Sequence, residues 1–312
     1  MYGIADVYSY IYHIDWITGM PFSIPALAKL TPEDRIAFKK DGFIVIENAL
    51  NQDQVARLRA SFPRLFKGDF DTGVYPDEWH WREGVSLPDV TRHIGNAWKS
   101  DLAVANLALS PDIGRAAAFL TGWTGVKLGQ DTIWWKPAGT KAGIFHQDSS
   151  YMAFLNPSST VTCWFTLDET YSGGGTLEYV KGSHKWPITR IPDNFLAPEN
   201  YRAPMQHAAS AVGVAEPEIV PIEVPAGSCV FHAGEIWHGS EANKSSESMR
   251  RSVGVHMIPE NALFTDAPGG YIYRRYQRVG SHELEESFFP ILYSSSAEAP
   301  GWINQYCETG QR

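Results

Sequence analysis

With 312 residues the chain is long enough to bury a sizeable core, and 44% hydrophobic and 20% charged residues are ordinary for a globular protein. A formal net charge of −9 argues against nucleic acid or an anionic membrane as the main partner, and no apolar run approaches the eighteen or so residues of a membrane span. Three widely spaced cysteines, Cys163, Cys229 and Cys307, argue against a disulfide framework and for a reducing compartment.

In chain order, residues 1–30 carry Tyr2, Tyr8, Tyr10, Tyr12, Trp16 and Phe22 without periodicity and read as an irregular cover. The first Lys or Arg is Lys29, so a basic secretory leader is missing and the expected location is cytoplasmic. Thr31-Pro32-Glu33-Asp34 reads as a helix start, with Thr as N-cap and acids at the positive dipole end, and the helix is expected to stop near Gly42. Phe43-Ile44-Val45-Ile46 is a short apolar run before a second helix over 52–62, with Val55, Leu58 and Phe62 on one face. Residues 67–92 read as a long polar loop, followed by helices over 100–109 and 111–121.

After Gly122 the texture becomes β-rich, with stretches at 126–136, 144–150, 159–168, 176–181, 218–224, 228–233 and 251–258. Over 159–168, Val161, Cys163, Phe165 and Leu167 share one face and Thr160, Thr162, Trp164 and Thr166 the other. Short strands so spaced point to a sandwich or barrel such as a jelly roll. Residues 187–217 interrupt them with a Pro/Ala-rich insertion, read as a lid. The expected organisation is one catalytic domain over 1–312: a mainly helical N-terminal wrapping over 1–122, a core over 123–260, and a C-terminal cover over 261–312.

The chemistry centres on Phe145-His146-Gln147-Asp148, where an imidazole and a carboxylate two residues apart project from one side of an extended chain. A further histidine would complete the 2-His-1-carboxylate set that holds non-heme Fe(II) with open positions. Two histidines, His232 and His238, follow the turn at Pro225-Ala226-Gly227. The paired Arg250 and Arg251 lie just beyond, and a guanidinium grips carboxylate bidentately.

Lys136-Pro137-Ala138-Gly139, His146-Gln147-Asp148 with Tyr151, Trp164, and Gly174-Gly175-Thr176-Leu177 leading to Gly182-Ser183-His184 form an ordered series. It ends in His238-Gly239-Ser240 with Asn243 and Arg250, and resembles the phytanoyl-CoA dioxygenase family of Fe(II)/2-oxoglutarate-dependent oxygenases over most of residues 31–258. The resemblance implies a mostly β fold with flanking helices around a double-stranded β-helix, the jelly-roll or cupin-like core. It implies Fe(II) on His146, Asp148 and His238, and 2-oxoglutarate held by Arg250 and Ser240, with Gln147, Trp164 and Thr132 in that pocket. It further implies use of O2, release of succinate and CO2, and hydroxylation of a C–H bond in a small-molecule substrate. The interval from His238 to the arginines is one residue longer than usual, and Ser228 stands where the family often has an acid.

The His-Gly-Ser and arginine context favours His238 over His232. Alternation places Arg250 with Ser252, Gly254 and His256, and Arg251 with Val253 and Val255, which favours Arg250 as the clamp. Gln130 and Trp134, on one face with Thr132, are candidate substrate contacts together with Tyr151. His184 and His256 read as structural histidines, and Arg274, Arg275 and Arg278 as a solvated cluster. Gly173-Gly174-Gly175 reads as a tight turn. The rival readings are a cupin-like metal enzyme that does not use 2-oxoglutarate, and a non-catalytic β-barrel binding protein. No motif sets the oligomeric state.

Overall fold

The computed structural model describes residues 20–191, 200–298 and 300–311. Its helices follow the local signals. α1 (Pro32–Asp41) opens on a reciprocal capping box between Thr31 and Asp34 and closes at Gly42, whose φ of 89° suits glycine alone. α2 (Gln52–Lys67) opens on the same device between Asn51 and Gln54. It runs past Pro63 rather than stopping at 62, because Leu65 and Phe66 continue the buried stripe of Val55, Leu58 and Phe62. α3 (Leu102–Ala108) and α4 (Pro111–Thr121) complete the wrapping.

The strands are β1 (Phe43–Ile46), β2 (Glu78–His80), β3 (Arg92–Gly95), β4 (Gly125–Lys136), β5 (Gly143–His146), β6 (Leu155–Asn156), β7 (Val161–Thr166), β8 (Leu177–Val180), β9 (Ile219–Pro221), β10 (Cys229–Ala233), β11 (His238–Ser240), β12 (Arg250–Pro259), β13 (Leu263–Phe264) and β14 (Ile291–Ser294). An eight-stranded sheet runs in the order β1-β10-β7-β12-β4-β3-β2, with β14 also on β4, and faces a four-stranded sheet β5-β11-β8-β9. This is a mostly β architecture with a double-stranded β-helix core. β6 and β13 form a separate pair.

The N-terminal region adds three strands to the larger sheet. The apolar run at 43–46 pairs with β10, and the stretch expected as a loop over 67–92 contains β2. Such short edge strands carry too few residues for a period-two signal. The C-terminal segment contributes β14 and the helices α6 (Tyr271–Arg274) and α7 (Trp302–Thr309). Phe22 joins the main core; Tyr2, Tyr8, Tyr10, Tyr12 and Trp16 lie outside the described residues.

The two faces of the larger sheet differ in chemistry. The outer face presents Val161, Cys163, Phe165, Val253 and Val255 to Leu58, Phe62, Leu65, Ile113 and Leu120 of the helices. Each such apolar side chain removed from water is worth about 1.5–3 kcal/mol, so the helical layer is bound to the sheet by its main core. The inner face is polar, and the smaller sheet closes over it. The insertion at 187–217 contains a helix, α5 (Ala203–Ala211), between Val180 and β9. Met205, Ala208 and Ile191 pack with Phe145, Val180 and Trp237, so the described part of the expected lid is anchored to the smaller sheet; 192–199 lie outside the described residues.

Among the described residues, no helix is long and apolar enough to cross a membrane.

Candidate active site

His146 ends β5, Gln147 is still extended, and Asp148 opens a 3-10 turn rather than continuing the strand. Because Gln147 keeps the chain extended, His146 and Asp148 still face the same side. His238 starts β11 directly opposite His146 in the antiparallel register, and the two rings lie 4.3 Å apart. His146 Nε2 is 3.3 Å and His238 Nε2 3.7 Å from the same oxygen, Asp148 Oδ1. Each ring hydrogen-bonds through Nδ1 to the carbonyl two residues before it, Ile144 at 3.0 Å and Ile236 at 3.1 Å. That bond fixes the proton on Nδ1 and leaves the Nε2 lone pair for a metal.

The other oxygen, Asp148 Oδ2, is held from behind. Thr162 Oγ1 donates to it at 3.0 Å, and His232 Nε2 lies 3.3 Å away. His232 in turn accepts from the Tyr179 hydroxyl at Nδ1, at 2.9 Å. Since Thr162 uses its proton on Asp148, His256 donates to Thr162 through Nδ1 at 2.9 Å and accepts the Thr132 hydroxyl at Nε2, at 3.1 Å. Trp134 Nε1 donates to Thr132 at 3.2 Å and closes the chain.

Electrostatics put Asp148 and His238 in the protonation states a metal needs. Burial opposes the charge on Asp148, but His238, His146, His232 and His256 more than offset it and hold the carboxyl well below its ordinary range. Burial, reinforced by His146, holds His238 well below the ordinary imidazole range, hence neutral. The neutral imidazole of His238 and the ionised carboxylate of Asp148 are deprotonated donors of the kind that divalent iron requires.

The opposite end of the inner face is cationic. Arg250 is buried, with Nε on Gly175 O (3.1 Å), Nη1 on Ser252 Oγ (2.6 Å) and Nη2 on Ser240 Oγ (3.3 Å). Lys136, the register partner of Arg250, donates to Ser240 Oγ at 2.8 Å and Glu241 O at 2.6 Å. Among the described residues neither cation has a carboxylate within ion-pair distance, although both are at most 4% exposed. Burial pushes the Arg250 guanidinium down to about 10, and burial together with Arg250 depresses the Lys136 ammonium strongly. Two buried cations sharing one hydroxyl are a costly arrangement that an anion would relieve. The Arg250 guanidinium carbon lies 5.5 Å from the Trp164 ring centroid. Asn243 Nδ2 reaches the carbonyls of Lys136, Pro137 and Ser248, which ties the end of β4 to the turn before β12.

Arg251 faces the other way. It grips Asp168 through its backbone N and both sides of its guanidinium at 2.7–2.9 Å, and Arg59 of α2 shares that carboxylate at 3.2 Å.

Other expected positions resolve as follows. Gln147 points away from the interior that Arg250 faces: its amide donates to Glu235 O and accepts from Thr189 N, on the side of the chain away from His146 and Asp148. Thr132 serves the Asp148 network through His256 rather than the Arg250 end. Gln130 sits opposite His256, Trp134 stacks on His93 at 4.2 Å, and the Tyr151 ring is 6.3 Å from His146. His184 bonds Lys39 O. Arg274 bonds the carbonyls of Thr265 and Gly269, Arg275 pairs with Asp77, and Arg278 with Glu285. Lys136, Thr162 and Tyr179 are contributors to which the sequence assigns no role, while His256 is the structural histidine it suggests and His232, the rival to His238, supports Asp148 instead. The alternation that grouped Gln130, Thr132 and Trp134 extends to Lys136 and could have found it.

Comparison with known proteins adds the relatives. The family described as Phytanoyl-CoA dioxygenase (PhyH) matches residues 38–252. The phytanoyl-CoA dioxygenase of Arabidopsis thaliana is 30% identical over 260 residues, covering 73% of this chain and 89% of that protein. The peroxisomal phytanoyl-CoA dioxygenase of Mus musculus is 25% identical, covering 77% and 72%. Among solved structures, the epimerase SnoN in complex with Fe3+, alpha ketoglutarate and nogalamycin RO superposes with a TM-score of 0.63 at 20% identity, over 87% of this chain and 100% of that one.

Proposed function

The chain belongs to the phytanoyl-CoA dioxygenase family, and on that premise we propose that His146, Asp148 and His238 hold Fe(II) while Arg250, Lys136 and Ser240 hold the far carboxylate of 2-oxoglutarate. It is an Fe(II)- and 2-oxoglutarate-dependent oxygenase acting on a small-molecule substrate. One observation carries the residue assignment: a His-Asp-His donor set and a buried cation pair, with no carboxylate within ion-pair distance among the described residues, face the same interior from opposite ends. A dicarboxylate with a 2-oxo group has matching chemistry at both ends.

Iron with 2-oxoglutarate and O2 supplies the oxidising power, the cosubstrate ending as succinate and CO2. The protein's own part is positioning and exclusion of water. Thr162 and His232 hold Asp148 Oδ2, which leaves Oδ1 on the side of the two Nε2 atoms, where the three would hold the metal. Trp164 covers the guanidinium of Arg250, and the missing side chain at Gly254 keeps the centre open: a Cβ there would come within 2.9 Å of Thr132 Oγ1. Gln130, Trp134 and Tyr151 are the proposed substrate contacts. An intact Asp148 favours hydroxylation of a C–H bond, since halogenation needs a coordination position free of carboxylate. Three unpaired, buried cysteines support a reducing compartment, which we take to be the cytoplasm.

The test is succinate formation from 2-oxoglutarate with Fe(II), with and without candidate substrates. Iron- and 2-oxoglutarate-dependent succinate, stimulated by substrate, is expected. Turnover of a substrate with no succinate would select a cupin-like reaction, and absence of both would select a binding protein.

A further inference from the structure

The edge of the larger sheet farthest from β1 carries a second group of metal-type donors. In the antiparallel pair β2–β3, Glu78 faces Gly95 and His80 faces His93. Alternation puts all four on one face, which continues into Trp134 on β4, the register partner of His93. Gly95 leaves the floor of this group clear: a Cβ there would lie 3.0 Å from Glu78 Oε2. The carboxylate therefore lies between the two imidazoles, Oε1 3.8 Å from His80 Nε2 and Oε2 3.9 Å from His93 Nδ1.

Those gaps are too long for hydrogen bonds. They are a little wider than the roughly 3.4 Å that separates two ligands on one tetrahedral ion with bonds of about 2.0–2.2 Å. The corresponding gaps in the His146–Asp148–His238 group are 3.3 and 3.7 Å. In both groups one donor atom from each residue falls within 4.8 Å of the others.

The donors suit a cation. His93 is sandwiched between Trp134 at 4.2 Å and His80 at 5.5 Å, and burial, with His80 and His256 adding to it, pushes it down to about 3. At neutral pH it is thus a neutral imidazole, with one N–H and a lone pair on the other ring nitrogen. Its Nε2 is buried without a hydrogen-bond partner among the described residues. Glu78 is held above its ordinary range by burial. Its only described ion-pair neighbours are the two histidines, while the nearby Arg275 is paired with Asp77 at 3.5 Å.

We propose that Glu78, His80 and His93 form a second, mononuclear site for a divalent cation of the Zn2+ type, bound by two imidazoles and a carboxylate with water in the remaining position. Bound there, the ion clips the outermost hairpin β2–β3 together on the face shared with Trp134. Asp148 is held by Thr162 on β7, and β7 is three strand spacings from β3 and four from β2, at least about 14 Å, so this is not the second half of a two-metal centre, whose ions lie about 3.5–4 Å apart.

The test counts Zn2+ bound to the full-length, metal-stripped chain by equilibrium dialysis and elemental analysis. Two ions per wild-type chain are expected, falling to one in His80→Ala and to one in Glu78→Gln. Asp148→Ala removes the other site and should retain one. His80 is 62% exposed at its side chain, so His80→Ala should keep the wild-type melting temperature without metal, and should lose the Zn2+-induced rise that Asp148→Ala keeps. One ion in the wild type, none in Asp148→Ala, or two in both His80→Ala and Glu78→Gln would overturn the proposal.

Discussion

At one end of the inner face an ionised carboxylate, Asp148, is surrounded by four imidazoles; at the other, Arg250 and Lys136 converge on the Ser240 hydroxyl with no described carboxylate beside them. The first end is internally satisfied: every oxygen and ring nitrogen behind the metal-facing side has a partner. The second is not, and its two cations are depressed by burial and, for Lys136, by each other's proximity. The difference separates groups that must be preset from groups that wait for a ligand. A metal ligand has to be oriented and deprotonated beforehand, whereas a buried cation pair keeps a binding energy that only an arriving anion releases.

The sharpest way to break this comparison is at the preset end. His238→Ala and Asp148→Ala should each reduce bound iron and turnover to background, while His232→Ala, which removes only support for Oδ2, should keep most of its iron. Iron content of the purified variants decides it, and the reverse ranking of His232 and His238 would move the ligand.

At the waiting end, the effect should fall on 2-oxoglutarate and spare the metal. A hydrogen bond to a charged group is worth about 1.5–3 kcal/mol, so Arg250→Gln should weaken 2-oxoglutarate by about ten- to a hundredfold with iron retained. Lys136→Met should act in the same direction by about tenfold. Arg251→Gln should change that affinity by less than about threefold, but should lower the melting temperature because Asp168 loses a bidentate partner. Titrating the charge-transfer band of the anaerobic Fe(II) complex reads all three.

Next in size is the relay behind Asp148. Thr162→Val removes the donor to Oδ2 and strands His256, and support of this kind is worth about 10–100-fold in metal affinity. A change near the lower limit is expected for Fe(II), with 2-oxoglutarate affinity measured at saturating metal unaltered. Weakening of both alike would show that the two ends are not separable.

The smallest effect is a pH dependence of stability. The unfolded chain takes up a proton at His93 below about 6.5, while the folded chain resists until about 3. The unfolded state therefore binds more protons in that window, and stability must fall as pH falls through it. In metal-free protein the slope attributable to His93 is at most about 1.4 kcal/mol per pH unit. His93→Gln should flatten it between pH 6.5 and 5.5, as read by denaturant midpoints.

What was legible in the sequence divides along the same line. His146, Asp148 and His238 stand in local motifs, and strand alternation together with the family resemblance separates Arg250 from Arg251, so the geometry of these four is legible in the sequence. The helix start at Thr31 is equally local, since a cap and its partner lie three residues apart, and the second helix shows through the apolar face of Val55, Leu58 and Phe62. The supports were not local. His232 and Asp148 are 84 residues apart, Thr132 and His256 are 124 apart, and only strand register brings them together. Gln147 differs because it stands between two donor residues in sequence while its own side chain points to the opposite side of the chain. β2 escaped notice because three residues give no pattern.

The opposed arginines at the start of β12 carry a consequence for how this chain can tolerate insertions and deletions. Residues 241–249 form a turn whose ends are tied by Asn243, and an added or lost residue inside it leaves the pairing of Arg250 with Lys136 untouched. A one-residue deletion within 251–256 is a different event. It would force the strand either to bulge or to slip by one against β4 and β7, and slipping turns Arg251 inward while exporting Arg250. Length variation among relatives should therefore collect in the turn and be purged from the strand, even though the two segments are adjacent.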